Sequence, residues 1–260
     1  MQPDFELTEN RLNSTPFWLY FIAFTAAELV TALLQPFIGI ICHGVILSAL
    51  LVQSAFISDV RSRNFTTSLS LVPLVRIMSL IMPLASVPLI YWYILIYAPL
   101  LIAAVVVMRT VKLKPRQIGL VSRGLPLQIA MAIVTGIAFG VLEYYILKPQ
   151  PLVAEFSLEQ IWPAAIIILM TTGLVEEFIF RGVLQQTSEA SMGRMGLVYT
   201  SAIFAILHIG HLSVIDVAVV FAIALFFAAV VKRTGSLIGV ILSHGLTNIF
   251  LFLIGPFILS

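Results

Sequence analysis

The stretch TTGLVEEFIFRGVLQQ, residues 171–186, places three charged side chains inside a segment that is otherwise long and apolar enough to cross a bilayer. Two adjacent carboxylates stand at Glu176 and Glu177, and a cation follows at Arg181. A charge at membrane depth costs roughly 2.5–3.5 kcal/mol on insertion scales, so an ionisable residue there usually serves a function. This stretch is therefore the first candidate for a functional site.

The composition of the chain predicts a membrane protein. Of its 260 residues, 60% are hydrophobic and 10% are charged, whereas an average soluble domain has roughly 25% charged residues. The apolar runs are continuous rather than alternating, which favours spanning helices over the strands of a barrel. The single cysteine, Cys42, excludes an internal disulfide and a multi-cysteine zinc site. We predict an all-α polytopic transmembrane helical bundle with the lipid bilayer as partner and no nucleic acid.

About nine spans are predicted, and the charged motif lies in the sixth. They cover residues 17–35, 37–58, 69–84, 86–108, 126–147, 161–188, 195–209, 213–231 and 236–258. A polar loop is expected at 59–64. Eight spans are the alternative, with the first two segments forming a re-entrant pair. We expect one membrane domain over 1–260, with accessory N-terminal spans in 17–125 and the candidate catalytic core in 126–260, whose polar motifs lie on the last four spans.

Lysine and arginine are distributed unevenly between the two sides of this predicted bundle. With the N-terminus in the cytoplasm, one side holds only Lys148, and Arg76 and Arg181 lie within spans. The other side holds the remaining eleven: Arg11, Arg61, Arg63, Arg109, Lys112, Lys114, Arg116, Arg123, Arg194, Lys232 and Arg233. Because short cytoplasmic loops are enriched in these residues, we predict a multi-pass protein of the cell membrane with a cytoplasmic N-terminus and an external C-terminus. Residues 1–16 lack a signal-peptide pattern.

Helical spacing separates the roles of the charged residues in the sixth span. Residues four apart share a helix face, whereas neighbours point about 100° apart. Glu177 and Arg181 are therefore expected to form an ion pair. Glu176 points to the face that it shares with Thr172 and Phe180, which leaves it as a free carboxylate.

Two later spans add groups that can act with this carboxylate. His208 lies on the seventh span, and His244 and Asn248 share a face of the ninth. At about 1.5 Å per residue from the cytoplasmic ends, Glu176, His208 and His244 lie about 18, 20 and 12 Å deep. We expect one cavity near mid-membrane, opened towards the cytoplasm. A carboxylate and a histidine sharing a water form a general-base pair, and a histidine and an amide can stabilise an oxyanion.

Three motifs in order on separate spans carry a family resemblance. They read Glu-Glu-x-x-x-Arg at 176–181, Phe-x-x-x-His at 204–208 and His-x-x-x-Asn at 244–248. Over residues 171–250 the chain resembles the CAAX protease and bacteriocin-processing (CPBP) family of intramembrane proteases, which includes the type II CAAX prenyl endopeptidases. The resemblance implies an endopeptidase that acts on a membrane-associated peptide or a lipidated protein.

The resemblance also implies a role for each motif residue. Glu176 would be the catalytic base, and His208 would assist in activating water. His244 and Asn248 would form the oxyanion site. The residues that would support the site are Glu177, Arg181 and Phe204.

Two alternatives stay open at this point. No cofactor is expected, but Glu176, His208 and His244 could instead supply a carboxylate and two histidines to Zn²⁺, as in a zinc-dependent metalloprotease. No His-Glu-x-x-His motif supports that site. The second alternative is a non-proteolytic immunity or membrane scaffold protein that retains the fold. Transport is a weaker candidate, because the polar motifs lie in one half of the chain without a repeat.

The remaining polar residues of the spans have ordinary structural interpretations. Asp216 follows Ser213 by three residues, which fits a capping box, and His211 is expected to be an exposed loop residue. The aromatic cluster at residues 91–93 is interpreted as part of an interfacial belt. Four isolated residues are assigned to interhelical contacts or cavity lining: Glu28, His43, Arg76 and Glu143.

Overall fold

All regular structure in the described residues is helical, so the backbone hydrogen bonds form within each segment, as lipid requires. The structure is a computed structural model, and it describes residues 15–81 and 87–259. The α-helices are α1 (Thr15–Leu33), α2 (Pro36–Phe56), α3 (Val60–Leu69), α4 (Leu71–Ile81), α5 (Leu89–Thr110), α6 (Leu125–Leu147), α7 (Leu158–Ile168), α8 (Gln185–Met192), α9 (Arg194–Ile206), α10 (Val214–Thr234), α11 (Ile238–Ile249) and α12 (Gly255–Ile258). The backbone is π-helical at Leu169–Glu176, Phe178–Leu184 and Phe250–Ile254, and a 3-10 turn covers Ile209–His211.

The prediction of an all-α, multi-pass helical bundle is confirmed. In the described part of the chain, eight helical segments are long and apolar enough to cross a membrane. Three of them join shorter helices, at Val60–Ile81, Leu158–Met192 and Ile238–Ile258. The re-entrant pair of the eight-span alternative stays a prediction, because α1 and α2 are counted among the eight by length and composition alone.

The seventh predicted span, 195–209, forms a helix that is too short to cross the hydrocarbon core. Its helix, α9, has 13 residues, which at about 1.5 Å per residue gives a length below the ~30 Å of the hydrocarbon core. The described residues therefore contain eight membrane-long helices, the number that the prediction of about nine spans kept as its alternative. α9 packs on α10, and Lys232 near the end of α10 contacts Glu189 of α8. The chain therefore runs along α9 from the C-terminal end of α10, beside α8, to the N-terminal end of α10.

The polar segment at 59–64 is helical rather than a loop. The Asp59 carboxylate accepts a hydrogen bond from the Ser62 backbone N–H at 2.7 Å, which caps α3. The third span therefore begins before the predicted residue 69, because capping compensates for its polar first turn. The predicted span boundaries at 84 and 86, and Arg11 with the rest of residues 1–14, lie outside the described residues.

Contacts between loops bring most of the basic segments to one end of the bundle. The Leu237 backbone N–H donates to the Gly119 carbonyl at 2.9 Å, and the Ser236 hydroxyl donates to the Val121 carbonyl at 2.7 Å. The Asn64 amide donates to the Val111 carbonyl at 3.4 Å. We call the end formed by residues 59–64, 109–124, 189–194 and 232–237 the basic end.

Close packing between α6 and α11 fixes the helix that carries the third motif. A Cβ atom on Gly136 would lie 2.8 Å from the Ser243 carbonyl oxygen, and one on Gly140 would lie 2.8 Å from that of Thr247. Only glycine at these two positions, four residues apart, permits this approach. The position of α11 in the bundle therefore depends on two small residues of α6.

Candidate active site

The charged motif of the sixth span lies on π-helical backbone, whereas its spacing was interpreted on an α-helix. One π-helical segment ends at Glu176, and the next begins at Phe178. π-helical turns are rare in proteins overall, but those that occur are often at functional sites. The residue pattern therefore does not reveal the π-helical backbone of this motif.

Glu177 and Arg181 form the ion pair that their spacing predicts. The Arg181 Nη1 atom donates to Glu177 Oε1 at 2.8 Å, and the two side chains are 2% and 0% exposed. The guanidinium lies over the Phe204 ring, 4.5 Å from its centroid, and its Nη2 donates to the Ala224 carbonyl at 3.4 Å. The arginine is thus held by a carboxylate, an aromatic face and a backbone oxygen.

His244 lies between the two adjacent carboxylates. Its Nδ1 is 2.8 Å from Glu177 Oε1, and its Nε2 is 3.8 Å from Glu176 Oε2. A carboxylate only accepts, so the hydrogen lies on Nδ1 and Nε2 faces Glu176. Glu177 consequently orients the imidazole as well as pairing with Arg181, which the sequence did not indicate.

Glu176 is the carboxylate that reaches the cavity, and it has a partner that the sequence analysis missed. The Tyr97 hydroxyl of α5 donates a hydrogen bond to Glu176 Oε1. Tyr93 stacks on Tyr97, with ring centroids 6.2 Å apart, and both line the cavity. The aromatic-belt interpretation suits Tyr91, which is exposed, but it is wrong for Tyr93. The four-residue spacing of Tyr93 and Tyr97 places them on one helix face, and this spacing could have indicated that they face the same cavity.

His208 lies just beyond the end of α9, with its ring oriented by the backbone. Its Nδ1 is 3.0 Å from the Phe204 carbonyl oxygen, so a neutral ring donates from Nδ1 and leaves Nε2 free as an acceptor. The Phe204 ring contacts both histidines, with centroid separations of 5.1 Å to His208 and 5.9 Å to His244. Phe204 therefore packs between the second and third motifs.

One cavity of about 230 Å³ collects the four predicted catalytic residues. They come from the π-helical segment, the end of α9, and α11: Glu176, His208, His244 and Asn248. No described residue makes a hydrogen bond to the Asn248 amide, which leaves it available to a ligand. The arrangement offers a carboxylate, two imidazoles and an amide around a space large enough for several waters.

The cavity extends toward the end opposite the basic loops, so the predicted opening towards a cytoplasmic basic end is wrong. Asp216 lines it from the first turn of α10, a helix that ends at the basic end. Ser79, near the end of α4, and His211 are its exposed lining residues. The estimated depths were compatible with either direction, because they placed all groups near mid-membrane.

The turn between α9 and α10 also contributes to the cavity. His211 Nδ1 is 2.9 Å from Asp216 Oδ2, and both residues line the cavity, so His211 is more than an exposed loop residue. The Asp216 backbone N–H donates to the Ser213 hydroxyl at 3.2 Å, as an N-terminal cap requires. The Asp216 carboxylate pairs with His211 instead of completing the capping box. Glu143 of α6 lines the cavity too.

The zinc alternative finds no ready-made ligand set in the described segments 15–81 and 87–259. No three His, Cys, Asp or Glu side chains there are clustered to hold a metal ion. Glu177 engages His244 Nδ1, so Nε2 is the ring nitrogen that a metal ion would have to use. Zn²⁺ binding by Glu176, His208 and His244 would require these side chains to rearrange.

Fold and site together define a polytopic membrane protein with a carboxylate–histidine site buried in its helices. Residues 157–250 match the family described as type II CAAX prenyl endopeptidase Rce1-like, and the segment covers just over a third of the chain. The predicted resemblance to the CAAX protease family is confirmed, and it includes all three motifs. No curated protein matches the chain, and no solved structure matches it.

Proposed function

We propose that the chain is an intramembrane endopeptidase that hydrolyses a peptide bond with a water molecule activated by Glu176 and His208. The observation that carries the proposal is the convergence of all three motifs, from separate helices, on one cavity. This convergence occurs within the segment that matches a family of endopeptidases. No cofactor is part of the proposed reaction.

Glu176 is the group proposed to accept the proton of the attacking water. Tyr97 donates to one oxygen of its carboxylate, and the other oxygen faces His244 and the cavity. His208 assists through Nε2, because its Nδ1 hydrogen is directed to the Phe204 carbonyl. The hydroxide attacks the scissile carbonyl carbon, and the proton then passes from Glu176 to the leaving amine as the C–N bond breaks.

His244 and Asn248 are proposed to stabilise the oxyanion of the tetrahedral intermediate. Since Glu177 engages Nδ1–H, His244 donates from Nε2 as an imidazolium. Asn248 donates from its side-chain amide. Fixed donors in a site shielded from water are worth roughly 10²–10³ in rate each. Glu177 and Arg181 support this arrangement without contacting the substrate.

A membrane-associated substrate suits the surroundings of the site. An apolar groove of about 340 Å³ lies between α5 and the chain formed by α7 and the π-helical segment Leu169–Glu176. Tyr97 lines both this groove and the cavity. A substrate segment lying in the bilayer can therefore reach the neighbourhood of Glu176 along apolar surface. The proposed setting is the cell membrane, with the N-terminus and the basic end in the cytoplasm.

The proposal is tested by comparing membrane peptides from cells that express wild-type or Glu176→Gln protein, using mass spectrometry. The expected result is a set of cleavage products that the variant does not generate. Glu143→Gln is the matched control, because it removes another carboxylate from the same cavity without an assigned role. A Glu176→Gln protein that generates the same products and supports the same cellular phenotype would instead indicate the immunity or scaffold function.

A further inference from the structure

The mouth of the cavity lies at the end of the bundle opposite the basic end. Ser79 lines it from the last turn of α4, Glu143 from the last two turns of α6, and Asp216 from the first turn of α10. These helix ends are opposite the basic end, because the α3–α4 segment and α6 begin in basic-end loops and α10 finishes in one. At about 1.5 Å per residue, Glu143 and Asp216 lie about 27 Å from the basic ends of their helices. They are therefore near the far edge of a ~30 Å hydrocarbon core.

Buried polar contacts close the cavity on the side of the basic end. Arg181, five residues beyond Glu176 in that direction, is 1% exposed and donates to the Ala224 carbonyl of α10 at 3.4 Å. Gln185, a further four residues on, is 0% exposed and donates to the Ala228 carbonyl at 3.1 Å. Both contacts join the motif segment to α10 below the cavity. A peptide that approached Glu176 from the basic end would have to separate these two helices.

The distribution of charge assigns the two ends of the bundle to the two sides of the membrane. Apart from the intramembrane cations Arg76 and Arg181, every described lysine and arginine lies at the basic end except Lys148. Short loops that are rich in these residues stay in the cytoplasm. The opposite end, which holds the mouth of the cavity, is then on the outside.

We propose that the cavity is entered from the extracytoplasmic side, and that the substrate is a membrane-associated peptide or protein whose cleaved segment is exposed on that side. This inference rests on the proposed function and adds to it the class of substrate and the side on which the substrate is presented. The closed floor excludes the route from the basic end, and the charge asymmetry places the open end outside.

Polar side chains at the mouth suit the entry of a peptide backbone. The His211 side chain is 43% exposed and lies 2.9 Å from the buried Asp216 carboxylate. The Arg76 side chain, which also lines the cavity, is 16% exposed. A backbone carries a donor and an acceptor at nearly every residue, so burial without hydrogen-bond partners is costly. A mouth with hydrogen-bonding groups lowers that cost, while the apolar groove beside Tyr97 can hold an apolar part of the same substrate.

Access to the mouth can be measured with a membrane-impermeant maleimide on intact cells that express the full chain. The background is Cys42→Ser, which removes the single cysteine. Ser79→Cys places a thiol at the exposed mouth, and Ser122→Cys places one in an exposed loop of the basic end. We expect Ser79→Cys to react in intact cells and Ser122→Cys to react only after permeabilisation. A Ser79→Cys protein that reacts only after permeabilisation would overturn the proposal.

Blocking the mouth separates the entry route from topology alone. After labelling from outside, cleavage by Ser79→Cys should fall at least tenfold, because the attached group fills a cavity of about 230 Å³. Ala154→Cys is the matched control, since this exposed residue lies in the loop at the same end and is not among the cavity-lining residues. It should be labelled from outside and keep its cleavage rate. An unchanged rate in labelled Ser79→Cys would overturn the entry route.

A third measurement tests the side on which the substrate is cleaved. The probe is a peptide that spans a bond cut in the cellular comparison and carries a sulfonated fluorophore and quencher, which keep it outside the cell. Intact cells with the wild-type protein should cleave it at the rate of permeabilised cells, and cells with Glu176→Gln should not cleave it. Cleavage that requires permeabilisation would overturn the proposal. Failure of the proposed function has a different signature, in which Ser79→Cys reacts from outside while wild-type and Glu176→Gln proteins generate the same membrane peptides.

Discussion

Replacement of Arg181 by alanine should lower the stability of the protein more than it changes the chemistry of the molecules that fold. The substitution leaves the Glu177 carboxylate, 0% exposed, with His244 as its remaining partner. An uncompensated buried charge costs about 3–5 kcal/mol, which corresponds to a loss of about two to nearly four orders of magnitude in the folding equilibrium. Loss of the contact between the guanidinium and Phe204 adds about 0.5–2 kcal/mol. Since total stabilities are about 5–15 kcal/mol, abundance should fall clearly.

The assay separates stability from chemistry by three measurements on each variant. These are the amount of protein in membranes, the unfolding temperature in detergent, and the cleavage rate per folded molecule. Glu177→Gln with Arg181→Met removes both buried charges, so abundance should largely recover. Cleavage should stay low in this double variant, because His244 loses the carboxylate that orients it.

An exposed ion pair provides the matched control for this experiment. Lys232 and Glu189 form such a pair at the basic end, with side chains 47% and 21% exposed. Lys232→Met should cost at most about 1 kcal/mol, because exposed pairs contribute little. An Arg181→Ala protein with wild-type abundance and unfolding temperature but no cleavage would refute the reasoning and assign Arg181 a direct contact with the substrate.

The other predictions concern topology and the groups around the cavity. Reporter fusions placed after residues 124 and 155 should report opposite sides of the membrane, and finding both on one side would end the proposed topology. Tyr97→Phe removes the hydrogen bond that positions the Glu176 carboxylate, so the cleavage rate per folded molecule should fall roughly 10- to 100-fold. Because a hydrogen bond to a charged group is worth about 1.5–3 kcal/mol to the folded state, the unfolding temperature should fall as well. A wild-type rate would show that the hydroxyl does not act on the reaction. His244→Ala and Asn248→Ala should each lower cleavage by roughly 10²–10³, and a decrease below tenfold for Asn248→Ala would remove it from the oxyanion site.

Much of the fold follows from apolar length and charge spacing, and the exceptions have physical causes. Eight predicted spans correspond to membrane-long helices because lipid requires about 20 apolar residues for each crossing. The seventh predicted span, at 195–209, could not be distinguished from a true crossing, since α9 and the following turn are as apolar as a span but α9 ends at Ile206. The start of the third span was misplaced because the cap at Asp59 is a local hydrogen bond that a hydropathy pattern does not include.

The site was predictable where its geometry is local and unpredictable where it depends on tertiary contacts. Glu177 and Arg181 are four residues apart on one helix, so their pairing follows from helix geometry. Tyr97 reaches Glu176 from a helix 79 positions away in sequence, and one sequence holds no information on that approach. The place of His244 between two carboxylates depends on the close packing of α11 against the rest of the bundle. The direction of the cavity likewise depends on which ends of α4 and α10 line it.

The central claim is that Glu176 activates water without a metal ion. The most direct measurement is the cleavage rate of purified wild-type and Glu176→Gln proteins on a peptide from the cellular comparison, with and without phenanthroline. General acid–base catalysis is commonly worth about 10²–10⁴ in rate. We therefore expect Glu176→Gln to lose at least a hundredfold with an unchanged unfolding temperature, and chelation to leave the wild-type rate unchanged. A variant that keeps more than a tenth of the wild-type rate, or a wild-type activity that is lost on chelation and restored by stoichiometric Zn²⁺, would contradict the claim.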